Sequence, residues 1–193
     1  MRDAVRPSAV ARVIWINGAF GAGKTTSARL LAHAIPGSVI LDTEEIGSML
    51  RLVLQPVAPV LDFQQWMAWR VLVADVINAV VDELPPDGPR TIIIPQTITE
   101  HSYWAQIRAA VRREVEIVPV SLHVTSDEHR CRVEADVEEP EAMPWRLAKF
   151  ENFRSADWIA DEFELIESTG RAPSDVAGAI GQVPGSGVTV FEA

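Results

Sequence analysis

The stretch Gly18-Ala19-Phe20-Gly21-Ala22-Gly23-Lys24-Thr25 decides the fold of this chain, because it matches the phosphate-binding loop pattern G-x-x-x-x-G-K-[ST] at every defined position. Before it, residues 12–17 are rich in β-branched and aromatic side chains, which is typical of a short buried strand. After it, residues 25–34 carry apolar side chains at helical spacing without an internal Gly or Pro. These flanks disfavour the alternative of a chance glycine-rich turn.

The order strand, glycine loop, helix predicts a nucleoside triphosphate site. The glycines let the backbone turn so that successive N–H groups point at phosphate oxygens, and the helix N-terminus adds its partial positive charge. Lys24 can then reach the outer phosphates of ATP or GTP, and the hydroxyl of Thr25 can ligate Mg²⁺. The other nucleotide contacts expected around the loop are Gly18, Ala19, Phe20, Gly21, Ala22, Gly23 and Thr26.

Composition limits the partners of this site. The 193 residues suit one domain with a core over about residues 12–183, and the net charge of −10 disfavours both nucleic acid and anionic lipid as partners. An acidic protein that binds a polyphosphate must concentrate its positive groups locally, and Mg²⁺ does part of that neutralisation. Cys131 is the single cysteine, and residues 1–11 are too short and polar for a signal peptide, so the sequence predicts a cytoplasmic protein.

Strand and helix patterns alternate along the whole chain. This alternation predicts an α/β three-layer sandwich with about five parallel strands, whose sites lie at the carboxyl ends of the strands. Pro119 in the fourth strand indicates a bulge or an edge. The later strands are expected at 38–41, 91–94, 116–124 and 163–167, and the later helices at 43–54, 62–84, 101–114, from 126, at 144–154 and at 173–183.

Asp42 follows the second predicted strand, beside the phosphate loop. It is therefore a candidate general base and Mg²⁺ ligand, although an aspartate there can also simply cap the helix that begins at Thr43. Many phosphate-loop enzymes place an Mg²⁺-binding aspartate after the third strand, where this chain has Pro95. Either Asp42 then ligates Mg²⁺ instead, or the metal is coordinated mainly by water and phosphate oxygens.

Arg70 stands among apolar residues in the predicted helix 62–84. An arginine on an apolar face needs an anion, which is either a substrate group or phosphate, or else an internal carboxylate. Trp69 beside it is explained equally well by a ligand platform and by ordinary core packing.

Two helices joined by a polar, Pro-containing stretch predict a small closing lid at about residues 126–155. The lid arginines Arg130, Arg132 and Arg146 are the candidates to meet the phosphates, and the alternative is a solvated charged surface. The loop at 168–172 is expected to hold the purine ring, with Arg171 and Pro173 as contacts.

Three segments carry a resemblance to a known family. The segments are residues 15–21 running into Lys24-Thr25, residues 62–64 with Trp69-Arg70, and Ile94-Pro95 with Thr97-Ile98. They resemble the tunicamycin-resistance proteins, a branch of the nucleotide-kinase-like phosphate-loop fold. Related kinases that inactivate nucleoside antibiotics such as capuramycin share this plan. The resemblance implies a cytoplasmic self-protection enzyme that phosphorylates a hydroxyl of a uridine-type antibiotic.

Carried over by position, the resemblance implies that Lys24 and Thr25 bind the triphosphate and Mg²⁺, and it makes Asp42 the candidate base. It implies a substrate contact at Arg70, and the other substrate contacts expected are Asp42, Phe63, Trp69 and Gln96. The tail lacks a basic amphipathic helix, so stable membrane association is not expected. A homodimer is possible.

The sequence thus favours an NTP- and Mg²⁺-dependent phosphotransferase acting on a small nucleoside-type molecule. The main alternative is an NTP-dependent protein that sequesters the antibiotic without transferring phosphate. A regulatory NTPase switch is weaker, because the sequence shows no separate effector module.

Overall fold

The computed structural model describes residues 10–135 and 143–187. Five strands form one parallel sheet in the order β2-β3-β1-β4-β5. The strands are β1 Ala11–Gly18, β2 Val39–Ile40, β3 Thr91–Pro95, β4 Val115–His123 and β5 Glu164–Glu167. The middle strand β1 is buried on both faces, which explains its unbroken apolar run.

Helices cover both faces of this sheet and give the predicted three layers. One core packs α1 and α8 against Ile14 and Ile16, and the other packs α3 and α4 against Val13 and Trp15. The predicted α/β fold with a five-stranded parallel sheet is therefore confirmed. The α-helices within the described residues are α1 Lys24–Ala34, α2 Glu44–Leu54, α3 Met67–Glu83, α4 His101–Ala110, α5 Ser126–Glu134, α6 Met143–Arg154, α7 Ile159–Glu162 and α8 Pro173–Gln182.

The prediction of one helix over 62–84 is wrong in its first turn. Phe63–Gln65 form a separate 3₁₀ helix, and Trp66 is extended before α3 begins at Met67. Asp62 causes the break, because its side chain accepts from the N–H of Gln64 at 3.1 Å while the side chain of Gln65 accepts from the N–H of Asp62 at 3.3 Å. This reciprocal capping closes a short turn of its own.

The structure also decides two smaller predictions: Pro119 lies at an edge rather than a bulge, and the predicted end of α4 is wrong. Pro119 causes no bulge, because β4 pairs with β1 in continuous register from Val115 to Leu122. Pairing with β5 begins only at Val120, so Pro119 lies at a local edge, where its missing N–H costs no ladder bond on that side. Helix α4 ends at Ala110 rather than at residue 114, because Val111 is extended.

The structure describes only part of the predicted lid. Its two helices are α5 and α6, whereas the predicted hinge at 136–142 and the first nine residues of the chain lie outside the described residues. Across the ranges 10–135 and 143–187, the structure has no helix with both the length and the apolar character that a bilayer crossing requires.

Candidate active site

The phosphate loop connects the end of β1 to the start of α1, and two of its glycines are required by geometry. Gly23 has φ +97° directly before α1, a left-handed conformation that strains any other residue. At Gly18, a Cβ atom would lie 3.1 Å from the carbonyl oxygen of Leu122. Glycine there lets the loop approach the carboxyl end of β4 closely.

Lys24 is held inside this loop. Its Nζ donates to the carbonyl oxygens of Gly18 at 3.0 Å and Ala19 at 2.9 Å, and only 9% of the residue is exposed. Burial lowers the pKa of Lys24 to about 8, and the nearby charge of Glu44 partly opposes this shift. A polyphosphate in the loop would compensate the buried ammonium, so the arrangement suits an anionic ligand.

A cavity of about 890 Å³ opens over the loop. This loop cavity brings together most of the residues that the sequence assigned to the nucleotide and the metal. It also contains Arg146, one of the predicted lid arginines, and Arg29 and Glu44, which the sequence did not assign to the site. The predicted residues that line it are Phe20, Gly21, Ala22, Gly23, Lys24, Thr25, Thr26, Asp42, Arg132, Arg171 and Pro173.

A second cavity, of about 360 Å³, lies beside the loop cavity. Of the predicted substrate contacts, Phe63 and Gln96 line this side cavity. Three residues line both cavities, namely Phe20, Glu44 and Arg146. A ligand in either cavity therefore contacts the same small wall. The other charged and aromatic residues of the side cavity are Arg51, Asp62, Trp145 and Lys149.

Asp42 lines the loop cavity together with Thr25 but does not line the side cavity. Its Oδ1 accepts a hydrogen bond at 2.9 Å from the N–H of Glu44, the first residue of α2, whose N-cap residue is Thr43. Asp42 therefore satisfies one backbone N–H at the start of α2 from just outside the helix, which resembles the capping alternative that the sequence left open. The roles of Asp42 as a base and as a metal ligand stay predictions.

Arg70 and Trp69 do not line either cavity, so the structure does not bring them to the substrate position expected from sequence. Arg70 is 7% exposed, and its Nε donates to the Gln106 side chain at 2.7 Å while its Nη1 donates to the carbonyl oxygen of Gln64. Its guanidinium lies 4.3 Å from the ring centre of Tyr103. Neutral acceptors and a ring therefore replace the expected anion.

Trp69 belongs to the core, which was one of the two explanations that the sequence allowed. It is fully buried, and its Nε1 donates to the carbonyl oxygen of Thr43 at 3.0 Å. Its ring lies 5.3 Å from that of Phe63. Trp69 therefore supports the side cavity from behind, by fixing Phe63 and the start of α2.

We expect Arg70→Lys to lower the free energy of unfolding by about 1–3 kcal/mol, because a single ammonium cannot satisfy both buried acceptors and cover the ring. Urea denaturation measures the change. Arg113→Lys, at an exposed position, is the matched control and should stay within about 0.5 kcal/mol of the wild type. Equal stability of the two variants would contradict this structural role.

The predicted lid arginines separate in the structure. Arg130 is exposed and lines neither cavity, whereas Arg132 lines the loop cavity and donates to the carbonyl oxygens of Gly21 at 3.2 Å and Ser168 at 2.9 Å. Arg132 also pairs with Glu128. The carbonyl contacts join α5 to the phosphate loop and to the loop after β5.

Helix α6 forms the outer wall of the site. The ring of Trp145 lies 4.7 Å from that of Phe20, and Lys149 Nζ lies 2.9 Å from Asp62 Oδ2. These two contacts hold Arg146 between the cavities. The sequence signal for Arg146 was weak, because the residue follows the hinge stretch and its distance from the loop depends on how α6 folds back.

The sequence comparison decides the family. A family model described as an AAA domain matches residues 13–155, most of the chain. The chain belongs to the AAA domain family. No curated protein matches this AAA domain in sequence.

Solved structures with the same fold as this AAA domain include several kinases. The tunicamycin resistance protein of Deinococcus radiodurans is 23% identical, with 88% of this chain and 93% of that chain covered at a TM-score of 0.58. A sugar kinase from Janibacter sp. HTCC2649 is 19% identical, with 86% and 90% covered at 0.62. A gluconokinase from Sinorhizobium meliloti 1021 is 13% identical, with 89% and 90% covered at 0.54.

These neighbours confirm the predicted resemblance to a tunicamycin-resistance protein and the kinase-like phosphate-loop fold. At these identities the likeness establishes the fold. Function must therefore be argued from the site of this chain.

The loop cavity of the AAA domain fits a nucleoside triphosphate with Mg²⁺. Lys24 is buried in a cradle of loop carbonyls, and Thr25 and Asp42 supply oxygen atoms at the same cavity. The described residues contain no cluster of three or more His, Cys, Asp or Glu side chains that could hold a metal alone. Phosphate oxygens and water would complete the Mg²⁺ shell, as this hard cation prefers.

Proposed function

We propose that this chain is an NTP- and Mg²⁺-dependent kinase that phosphorylates a hydroxyl of a nucleoside antibiotic of the tunicamycin or capuramycin type, and so gives resistance. ATP or GTP would occupy the loop cavity, and the antibiotic would enter the side cavity. The observation that carries this proposal is the wall of Phe20, Glu44 and Arg146, which both cavities share. An acceptor hydroxyl bound beside these three residues would lie next to the outer phosphate of the nucleotide.

The kinase class is supported by the names of two structural neighbours, a sugar kinase and a gluconokinase. The antibiotic is supported by the third name, a tunicamycin resistance protein, and by the segments of this sequence that resemble that family. The aromatic rings of Phe20, Phe63 and Trp145 in the side cavity suit the planar base of a nucleoside.

Positive side chains around the loop cavity would stabilise the charge of the transferring phosphoryl group. Lys24 and Arg132 lie on the nucleotide side, and Arg146 lies between the two ligands. Bound Mg²⁺ supplies further charge neutralisation at the phosphates. Phosphoryl transfer depends mainly on such positioning and electrostatic stabilisation, because the protein performs little covalent chemistry.

The direct test is to incubate the protein with ATP or GTP, Mg²⁺ and a panel of tunicamycin- and capuramycin-type antibiotics, and to weigh the products by mass spectrometry. We expect one antibiotic class to gain the mass of one phosphoryl group, and only when nucleotide is present. Products of unchanged mass across the panel would contradict the proposed activity.

The alternative is NTP-dependent sequestration of the antibiotic without transfer. One observation favours it: Pro95, the last residue of β3, lines the loop cavity at the strand end where many phosphate-loop enzymes have an Mg²⁺-binding aspartate. Retention of an unmodified antibiotic by the nucleotide-bound protein in equilibrium dialysis would select this function.

A further inference from the structure

Glu44 is the one carboxylate that lines both cavities among the described residues. It is the first residue of α2, and its side chain is exposed to the cavities. Its charge acts on Lys24, the residue expected to hold the outer phosphates. Glu44 therefore lies near the phosphate end of the loop cavity and at the mouth of the side cavity at once.

Asp42, the base expected from sequence, lies differently. It lines the loop cavity alone, and one of its oxygens accepts the N–H of Glu44 at 2.9 Å. That bond fixes the first turn of α2 and so helps to set where Glu44 stands. A general base must come within hydrogen-bond reach of the hydroxyl from which it takes the proton. An acceptor in the side cavity meets Glu44 there, not Asp42.

We propose that Glu44 is the general base of the transfer, and that Asp42 positions it while facing the nucleotide and metal. This assignment rests on the proposed kinase function. The acceptor oxygen forms a bond to the γ-phosphorus, and the bond from that phosphorus to the bridging oxygen breaks. The bridging electron pair leaves with the nucleoside diphosphate, and the acceptor proton moves to the carboxylate of Glu44, which releases it to water.

The test compares Glu44→Gln with Glu45→Gln, in the wild-type transfer assay with the antibiotic that is phosphorylated. Glu45 is the matched control, because it stands in the same first turn of α2, is exposed, and lines neither cavity. Both variants lose one negative charge near the helix N-terminus. We expect Glu44→Gln to lower kcat about 10²–10⁴-fold and Glu45→Gln to change it less than about threefold, with nucleotide affinity nearly equal in both.

Chemical rescue separates a base from a merely structural residue. We expect added formate to restore part of the kcat of Glu44→Ala, because a small carboxylate can enter the vacated volume and take the proton. Formate should not affect Glu45→Ala.

Three outcomes overturn the assignment. If Glu44→Gln transfers phosphate at the rate of Glu45→Gln, Glu44 is not the base. If kcat then falls strongly in Asp42→Asn but not in Glu44→Gln, the base is Asp42. Loss of kcat in Glu44→Ala that formate does not relieve makes the residue structural. If the wild-type protein phosphorylates nothing in the panel, the kinase function itself is contradicted, and the base with it. This outcome is distinct from the others, because the assay then fails before any variant is compared.

Discussion

Lys24→Ala is expected to abolish detectable phosphoryl transfer, with a loss of at least about a hundredfold in kcat/KM, the usual effect of removing one preorganised electrostatic donor. Lys24 is the cation that the loop carbonyls of Gly18 and Ala19 hold at 2.9–3.0 Å, inside the loop cavity. Nucleotide affinity should fall as well, because the ammonium is expected to contact the phosphates in the ground state too. Initial rates and calorimetric titration with ATP or GTP measure the two effects.

The same variant should remain folded. The pKa of Lys24 is lowered from 10.5 to about 8 by burial, so the unfolded chain binds the proton more tightly than the folded protein does. The charged lysine therefore costs stability below pH 8, and that cost is relieved as the pH rises from about 8 to 10.5. We expect the unfolding free energy of the wild type to rise relative to Lys24→Ala across that window.

Arg113→Ala is the control for charge loss, since Arg113 is exposed and lies outside both cavities. Its transfer rate should match that of the wild type. Wild-type turnover by Lys24→Ala would show that the loop does not hold the reacting nucleotide.

Arg146→Ala is the second variant with a large expected effect, a fall of about 10²–10³-fold in kcat. Arg146 lines both cavities, where the proposed transfer would move negative charge from the γ-phosphate to the leaving nucleotide. The affinity for the antibiotic alone should change much less, because the arginine acts mainly on the charge of the transition state. Steady-state kinetics with separate binding measurements distinguish the two parameters.

Arg130→Ala provides the comparison, because the sequence placed Arg130 with the phosphates and the structure places it outside both cavities. We expect a change of less than about threefold there, the range of ordinary surface substitutions. A larger loss at Arg130 than at Arg146 would mean that the lid rearranges when ligands bind.

The phosphate loop and the sheet could be predicted because their signals are local. Eight consecutive residues define the loop, and the buried run of β1 identifies its strand without reference to any distant segment. The three-layer architecture then follows from the alternation of strands and helices.

The surroundings of the loop depend on contacts that no local pattern contains. The pattern around Arg70 indicated a buried charge, but its partner Gln106 comes from another helix. The break before Met67 results from the side chains of Asp62 and Gln65, whose turn chemistry was overlooked within a longer helical periodicity. The sequence did contain a signal for Glu44, because a second carboxylate stands two residues after Asp42. Its position in the first turn of a helix was explained by the helix dipole alone.

The ring of Phe20, under Trp145 and between the two cavities, also constrains the kinetics of the reaction. In the proposed transfer the nucleotide and the acceptor meet at the residues that both cavities share, so the phosphoryl group would pass directly between them without a phosphorylated enzyme. The mechanism is then a ternary-complex one, with intersecting rather than parallel double-reciprocal plots. Any effect that a ligand in one cavity has, through Phe20, on the affinity of the other cavity must by linkage be returned by the same factor.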